Sequence, residues 1–187
     1  MAGNLEAIKD LEARIDSAGS RGITKQDILD VLVSQAKVAG TLFLRDEATQ
    51  TTVGGWNRLD VFDLAQSTQG IFDGRSDEAD AGSYWTVRNA AAGDYTCNLN
   101  LRFSTDTDGE YTFRLTTAID ELGDGVYVNQ GSPYQDELIV VAGETSVASI
   151  VDALLKDVGR LDRIQVEFKG PNGSVITAHK GQFGVGR

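Results

Sequence analysis

Acidic residues around one short turn are the first candidates for chemistry in this chain of 187 residues. Asp106, Asp108 and Glu110 surround Gly109, and oxygen ligands on a tight turn are what calcium prefers. Their spacing differs from that of an EF-hand, in which the glycine and the final glutamate take other positions. We therefore predict a solvated hairpin tip here and no metal site.

A second acidic segment, residues 73–80 (DGRSDEAD), could supply the paired carboxylates of a polysaccharide hydrolase. Such carboxylates need a rigid cleft with aromatic subsites, and Trp56, Tyr84 and Trp85 could line one. Trp85 shares its alternation with Val87, however, and a buried position in the core is the commoner place for such a tryptophan. We predict a polar, mobile loop over residues 73–80.

The single cysteine and the single histidine limit nucleophilic and metal chemistry further. Cys97 alternates with Tyr95 and Leu99, which predicts a buried, unreactive thiol, and one cysteine excludes an intrachain disulfide. With His179 alone, we expect no His–His metal site, no cupin-type centre and no Ser–His–Asp triad. His179 is expected to be structural, with a pH-sensitive contact at a subunit seam as the alternative. We expect no enzyme and no cofactor.

Charge and hydropathy exclude two classes of partner. The chain carries 28 acidic and 17 basic residues, a formal charge of −11, and such a body repels phosphate backbones, so nucleic acid is not an expected ligand. No apolar run approaches the roughly 18 to 20 residues that a membrane span needs, so no membrane partner is expected either.

Two helices are predicted to precede a β-region. In residues 4–17 a stripe of four apolar residues repeats at helical spacing, and a second helix is predicted from Thr24 to about Ala39, with Gly40 as its C-terminal stop. The stripe either packs into the protein's own trimer as a short coil or docks as a helix in a groove of a different protein. The four residues of this partner-binding stripe are Leu5, Ile8, Leu11 and Ile15. We predict an attachment segment over 1–40 and a β-domain over 41–187.

From Thr41 onward the apolar pattern has a period of two, which predicts a mainly β, antiparallel sandwich of about nine short strands. The clearest alternation covers residues 95–103 and 111–115, and we predict that these runs form a hairpin through Asp108-Gly109. One helical crossover is predicted over 146–158. The other predicted strands cover 41–44, 59–64, 84–89, 126–129, 138–141, 163–168 and 175–179.

The sequence Ala91-Ala92-Gly93-Asp94-Tyr95, which leads into the long alternating strand, resembles the Gly-x-Tyr signature of trimeric TNF/C1q-like jelly rolls. Domains of this kind recur in virion proteins of tailed phages, as head-decoration or cement proteins, head fibres and tail-fibre tips. The resemblance covers roughly residues 41–187 and implies a jelly roll, a homotrimer and an N-terminal attachment segment.

The resemblance implies a non-enzymatic structural protein of a phage virion, assembled in the host cytoplasm and bound to the major capsid protein or another virion protein. Because no shaft or repeat separates the helices from the β-region, we expect a capsid decoration, cement or head-fibre role. The alternative is a trimeric tail-fibre tip or a receptor-binding or carbohydrate-binding module. Its stacking surface on exposed loops would come from Trp56, Tyr84, Tyr127 and Tyr134.

Overall fold

The computed structural model of the protein describes residues 39–67, 72–75, 83–87, 93–119, 128–129, 134–159 and 162–186. In these ranges the chain is built of strands and turns and contains no helix. No helix that could span a membrane occurs in them.

Thirteen strands are present in the described residues, and they form two antiparallel sheets. Their bounds are β1 Ala39–Leu44, β2 Ala48–Thr51, β3 Asn57–Arg58, β4 Leu64–Ser67, β5 Phe72–Arg75, β6 Tyr84–Val87, β7 Gly93–Thr105, β8 Gly109–Ile119, β9 Val128–Asn129, β10 Gln135–Val140, β11 Ser146–Val158, β12 Arg163–Lys169 and β13 Val175–Gly186.

Sheet A has the strand order β11-β7-β13-β1-β4, and β2 pairs with the first half of β13. Sheet B has the order β10-β8-β12-β6-β5, with β3 on β12 and β9 on β8. Consecutive strands therefore alternate often between the two sheets. The predicted mainly β, antiparallel sandwich is confirmed in this architecture, which is consistent with a jelly roll.

The core fills the space between the sheets with the inward residues of both. The ring centroids of Phe103 in sheet A and Phe113 in sheet B are 5.0 Å apart, and Phe113 stacks on Phe168 at 6.1 Å. Each such side chain contributes about 1.5–3 kcal/mol by its burial. Trp85 and Val87 are fully buried, as their alternation predicts.

The predicted hairpin of residues 95–103 and 111–115 is wrong. Both runs are strands with a buried face, but β7 pairs with β11 and β13, whereas β8 pairs with β9, β10 and β12. The turn before Gly109 carries the chain from sheet A to sheet B, so the two apolar faces meet across the core. Alternation identifies which face of a strand is buried and leaves its hydrogen-bonded neighbour undetermined.

The predicted helical crossover over 146–158 is also wrong, because this segment is β11, the edge strand of sheet A. Its register with β7 shifts twice, between Ile150 and Ala153 and between Leu155 and Val158. Each β-bulge inserts one residue and lengthens the interval between buried positions from two to three. The buried residues Ala148, Ile150, Ala153, Leu155 and Val158 therefore follow a mixed spacing that imitates helical periodicity.

Two further predictions need correction near the start of the sandwich. Residues 59–64 are not one strand, since β3 belongs to sheet B, β4 belongs to sheet A, and the chain between them crosses the sandwich. Gly40 lies within β1 and does not end a helix. A Cβ on Gly40 would lie 2.6 Å from the Trp85 ring, so glycine is required there by close packing between the sheets.

The predicted N-terminal helices lie outside the described residues, apart from Ala39 and Gly40. The same holds for the partner-binding stripe of Leu5, Ile8, Leu11 and Ile15.

Candidate interaction surface

The most unusual surface of the described chain is an apolar edge on β10 and β11. Five of the six large apolar side chains that the described residues expose belong to these strands or to the turn between them. Ile139 is 81% exposed and Val151 is 68% exposed. Exposed apolar side chains gathered on neighbouring strands are a feature of interaction sites in soluble proteins. We call this set the apolar edge: Ile139, Val141, Val147, Val151 and Leu154.

The two strands lie together because each ends its own sheet on the same side of the sandwich. A turn over 141–144, with Glu144 N–H donating to the Val141 carbonyl at 3.0 Å, joins them. The N–H of Ser149 on β11 also donates to Oδ2 of Asp136 on β10 at 2.8 Å. The apolar side chains therefore project from a fixed framework.

The β-bulges of β11 adapt this edge to side-chain contact. Asp152 and Asp157 have φ angles of 52° and 53°, and their N–H groups donate to Asn98 Oδ1 at 2.8 Å and Asp94 Oδ1 at 3.0 Å. These bonds hold the bulges against β7, and β-bulges at an edge oppose the addition of another strand. A partner is therefore expected to bind the apolar side chains rather than extend the sheet.

Beside the apolar edge, the outer face of sheet A forms a shallow groove of about 400 Å³. No charged side chain is found among the described residues that line it, although the chain has 24% charged residues. Depletion of charge is a property of the centres of protein interfaces. We call it the neutral groove; its lining includes Thr41, Asn98, Asn100, Ser149, Val151, Gln182 and Gly184.

The outer face of sheet B differs, because charged and aromatic groups already cover it. Arg114 Nη2 lies 2.6 Å from Glu167 Oε2, and the Glu167 side chain is 1% exposed. The Arg114 guanidinium carbon is 3.8 Å from the centroid of the Trp56 ring, and Lys169 Nζ is 5.3 Å from it. These groups use one another as partners, a geometry worth about 0.5–2 kcal/mol per cation–π pair.

The aromatic residues proposed for carbohydrate stacking do not form an exposed surface. Tyr84 is 1% exposed, and the guanidinium carbon of Arg163 lies 4.3 Å from its ring centroid. Trp56 is half-buried under Arg114, Tyr134 is half-buried, and Tyr127 lies outside the described residues. The prediction that Tyr84 lies on an exposed loop is wrong.

The acidic residues of the turn between β7 and β8 accept backbone hydrogen bonds. Asp106 Oδ1 accepts from Val175 N–H at 2.8 Å and from the Thr107 hydroxyl at 3.0 Å, and these bonds lower the pKa of Asp106. Asp108 Oδ1 accepts from Ala142 N–H at 2.6 Å. Both carboxylates thus fix loops at one end of the sandwich, and no cluster of three potential metal ligands occurs in the described residues.

Cys97 and His179 occupy different environments. Cys97 is fully buried, which confirms its predicted place in the core, and desolvation raises the pKa of its thiol to about 12. His179 is half-buried, and its ring is within hydrogen-bond distance of Ser104 and Glu47. The expectation that one histidine excludes a Ser–His–acid arrangement is wrong, because a single imidazole is enough to form one.

The sequence does not predict the apolar edge, because the apolar spacing over residues 146–158 predicts a helix where the structure has strand β11. The alternation along β7 predicts that Asn98 and Asn100 lie on its polar face. The pairing of β7 with β13 and β11, which brings Asn100 beside Gln182 and Ser149, is not predicted by the sequence. Ser104 and Glu47 carried no local signal, since they lie 75 and 132 residues from His179.

No protein-family model matches the chain, and no curated protein matches it. Solved structures share its architecture, and the following two are among them. Eiger TNF from S. frugiperda aligns with a TM-score of 0.53 at 11% identity, over 81% of this chain and 92% of that one. Murine APRIL aligns with a TM-score of 0.50 at 9% identity, over 81% of this chain and 99% of that one.

The fold is a TNF-like jelly roll. At these identities the likeness concerns the fold alone, and it confirms the jelly roll implied by the Gly93-Asp94-Tyr95 resemblance. In this jelly roll the apolar edge lies on the two neighbouring edge strands, and the neutral groove lies on the outer face of sheet A.

Proposed function

We propose that this chain is a structural protein that forms a homotrimer through its apolar edge and is carried on the virion of a tailed phage. In this proposal it decorates or cements the capsid, or forms a head fibre, and residues 1–40 attach it to the particle. The single observation that supports self-association best is the concentration of exposed apolar side chains on β10 and β11.

Self-association follows from two different surfaces on one molecule. If the apolar edge of one subunit packs into the neutral groove of the next, the contact is heterologous, and repeated rotation closes it into a ring. Val151 belongs to both surfaces, so the two surfaces adjoin at β11. The number three comes from the TNF/C1q-like resemblance of the sequence.

The virion role rests on the same resemblance. The stripe of Leu5, Ile8, Leu11 and Ile15 precedes the sandwich in sequence and has the apolar spacing of a helix that binds a partner. In this proposal the stripe binds the major capsid protein or another virion protein. The carbohydrate-binding alternative has less support, because Tyr84 is buried and Trp56 already packs against Arg114.

Deletion of residues 1–22 tests the attachment role. We expect the truncated chain to remain a folded oligomer with an almost unchanged melting temperature, because every described strand is retained. It should fail to sediment with undecorated capsids, whereas the full chain should sediment with them. The matched control is Leu5→Asp, Leu11→Asp in the full chain, which keeps the length and removes the stripe.

Retained capsid binding by both variants would contradict attachment through the stripe. If the stripe is instead a trimer coil, the deletion should lower the melting temperature in a way that depends on protein concentration. Failure of the full chain to bind any undecorated capsid would contradict the virion proposal itself.

A further inference from the structure

Three polar side chains on the outer face of sheet A form a continuous hydrogen-bonded chain. Ser104 Oγ lies 2.9 Å from His179 Nε2, and His179 Nδ1 lies 2.7 Å from Glu47 Oε2. Serine on one ring nitrogen and a carboxylate on the other is the connectivity by which a serine nucleophile is activated.

The tautomer of His179 follows from the partners. The Glu47 carboxylate can only accept hydrogen bonds, so Nδ1 must carry a proton and donate it. In the neutral ring Nε2 is then an acceptor, and the Ser104 hydroxyl must donate to it. The Ser104 hydroxyl therefore donates its proton toward His179 Nε2, the position of a general base.

Three separate elements bring these residues together. Ser104 is on the outward face of β7, and Glu47 immediately precedes β2, which pairs with β13. His179 is the residue at which β13 departs from its register with β7, between Ala178 and Lys180. Such a bulge re-aims one side chain and is frequent beside active sites. His179 is thereby directed between its two partners.

The cluster is accessible to small molecules. The side chain of His179 is 31% exposed, that of Glu47 is 62% exposed, and Ser104 is half-buried. A second shallow groove, of about 390 Å³, includes Lys180, the residue after His179, in its lining; the other lining residues are Phe43, Leu44, Asn100, Gly181 and Gln182.

Positive charge flanks the serine. Arg102 shares the outward face of β7 with Ser104, about 7 Å away along the strand, and Lys180 is paired with Arg102. Cations at these strand positions give the surface around the serine a positive potential, which favours negative charge there. The amides of Asn100 and Gln182 in the adjoining groove suit hydroxyl groups, and a groove this shallow suits a small acyl group.

We propose that Ser104, His179 and Glu47 form an acyl-transfer site for small carboxylic esters of hydroxyl-rich alcohols. Ser104 Oγ forms a bond to the acyl carbon as the bond from that carbon to the alcohol oxygen breaks. His179 Nε2 takes the serine proton and passes it to the departing alcohol. Water then attacks the acyl-serine, which releases the carboxylic acid and restores the serine hydroxyl. Glu47 is a positioning residue that acts through His179.

This activity goes beyond the structural role and does not depend on it. Asn100, the residue of the neutral groove nearest to Ser104 along β7, is four residues away, about 13 Å at the rise of a strand. A neighbouring subunit in the neutral groove would cover the amides of Asn100 and Gln182, which line both grooves, and leave Ser104 itself accessible. Oligomeric mass and acyl transfer can be measured separately on the same sample.

Labelling of the full chain with a fluorophosphonate probe tests the site, with peptide mass mapping to locate the adduct. We expect one adduct, on Ser104, and none in Ser104→Ala. Ser146→Ala, which removes a half-buried serine at the start of β11 that lines neither groove, should be labelled like the natural chain. Glu47→Gln should slow labelling at least tenfold, and Glu47→Asp should restore part of the rate, which a merely structural role of Glu47 would not predict.

Release of nitrophenolate from p-nitrophenyl acetate should follow the same order among these variants. The proposal is overturned if the natural chain is not labelled, if Ser104→Ala is labelled equally, or if Glu47→Gln reacts at the natural rate while its melting temperature is unchanged. Each of these results leaves the oligomeric mass, and with it the proposed function, unaffected.

Discussion

Cys97 lies inside the sandwich, at the middle of β7, where its side chain is fully buried. Burial raises the pKa of this thiol to about 12, and the thiolate is the reactive form. Because the chain has one cysteine, its reaction with a thiol reagent reports on opening of the core around it.

We predict that native protein at pH 8 reacts with Ellman's reagent at least a hundredfold more slowly than protein in 8 M urea, a margin of about 2.7 kcal/mol at about 1.4 kcal/mol per tenfold. The absorbance of the released thiol measures both rates. A native rate equal to that of the unfolded chain would place Cys97 outside the core.

Asp162 is the second residue whose environment predicts a measurable effect. Desolvation raises the pKa of its carboxyl, against the opposing effect of the hydrogen bond from Gly159 N–H at 2.6 Å. A folded-state pKa above the unfolded value favours the protonated form, so this group stabilises the fold at low pH. That contribution is lost as pH rises through the folded pKa.

Asp162→Asn keeps an acceptor oxygen for Gly159 and removes the charge. We therefore expect the melting temperature of the variant, relative to the natural chain, to rise between pH 3.5 and pH 7. Differential scanning calorimetry across that range measures the difference. A relative melting temperature that falls with pH would show that the charged form is favoured by the fold.

Among the strands, β11 allows the most specific prediction, because Asp152 and Asp157 have φ angles in the left-handed region of backbone conformation. An L-residue there costs about 1 kcal/mol or more, and glycine adopts this conformation without steric cost. Asp152→Gly should therefore raise the free energy of unfolding by up to about 1 kcal/mol, in spite of the added entropy of the unfolded chain.

The matched control is Ser149→Gly, in the extended part of the same strand, which should lower the free energy of unfolding by about 0.5–1 kcal/mol. Urea denaturation measures both variants. Equal losses in the two variants would contradict the bulge at Asp152.

These bulges also show how far the sequence could predict the elements. Strict alternation along β7 and β8 identified their buried faces, including Leu101 and Phe113. It could not identify their neighbours, because strand pairing depends on contacts between residues far apart in sequence. In β11 the two inserted residues change the spacing of the buried side chains from a constant two to a mixture of two and three. The sequence of this segment therefore resembles that of an amphipathic helix.

The candidate sites were harder to predict than the elements. The apolar edge depends on which strands end the sheets, and a single strand carries no information on that. The Ser104–His179–Glu47 cluster depends on a bulge at His179 and on pairing across 75 and 132 residues. By contrast, the burial of Cys97 and Trp85 followed from their own strands alone.

At the scale of the whole molecule, a chain with a net charge of −11 has a groove whose described lining carries no charged side chain, beside an edge strand on which Asp152, Lys156 and Asp157 are exposed. Like charges on approaching subunits oppose association, so a neutral contact surface is required if copies are to meet. The charged network of Arg114 and Glu167 on sheet B is suited to the exposed outside of such an assembly.

The molar mass of the protein in solution tests self-association through the apolar edge most directly. Light scattering at micromolar concentration should give about three times 20.1 kDa for the natural chain. Val151→Asp, within the apolar edge, should give 20.1 kDa with the sandwich still folded. Val53→Asp changes a valine that is 63% exposed outside this edge and should remain trimeric. A monomeric natural chain, or a Val151→Asp variant that stays trimeric, would contradict the account.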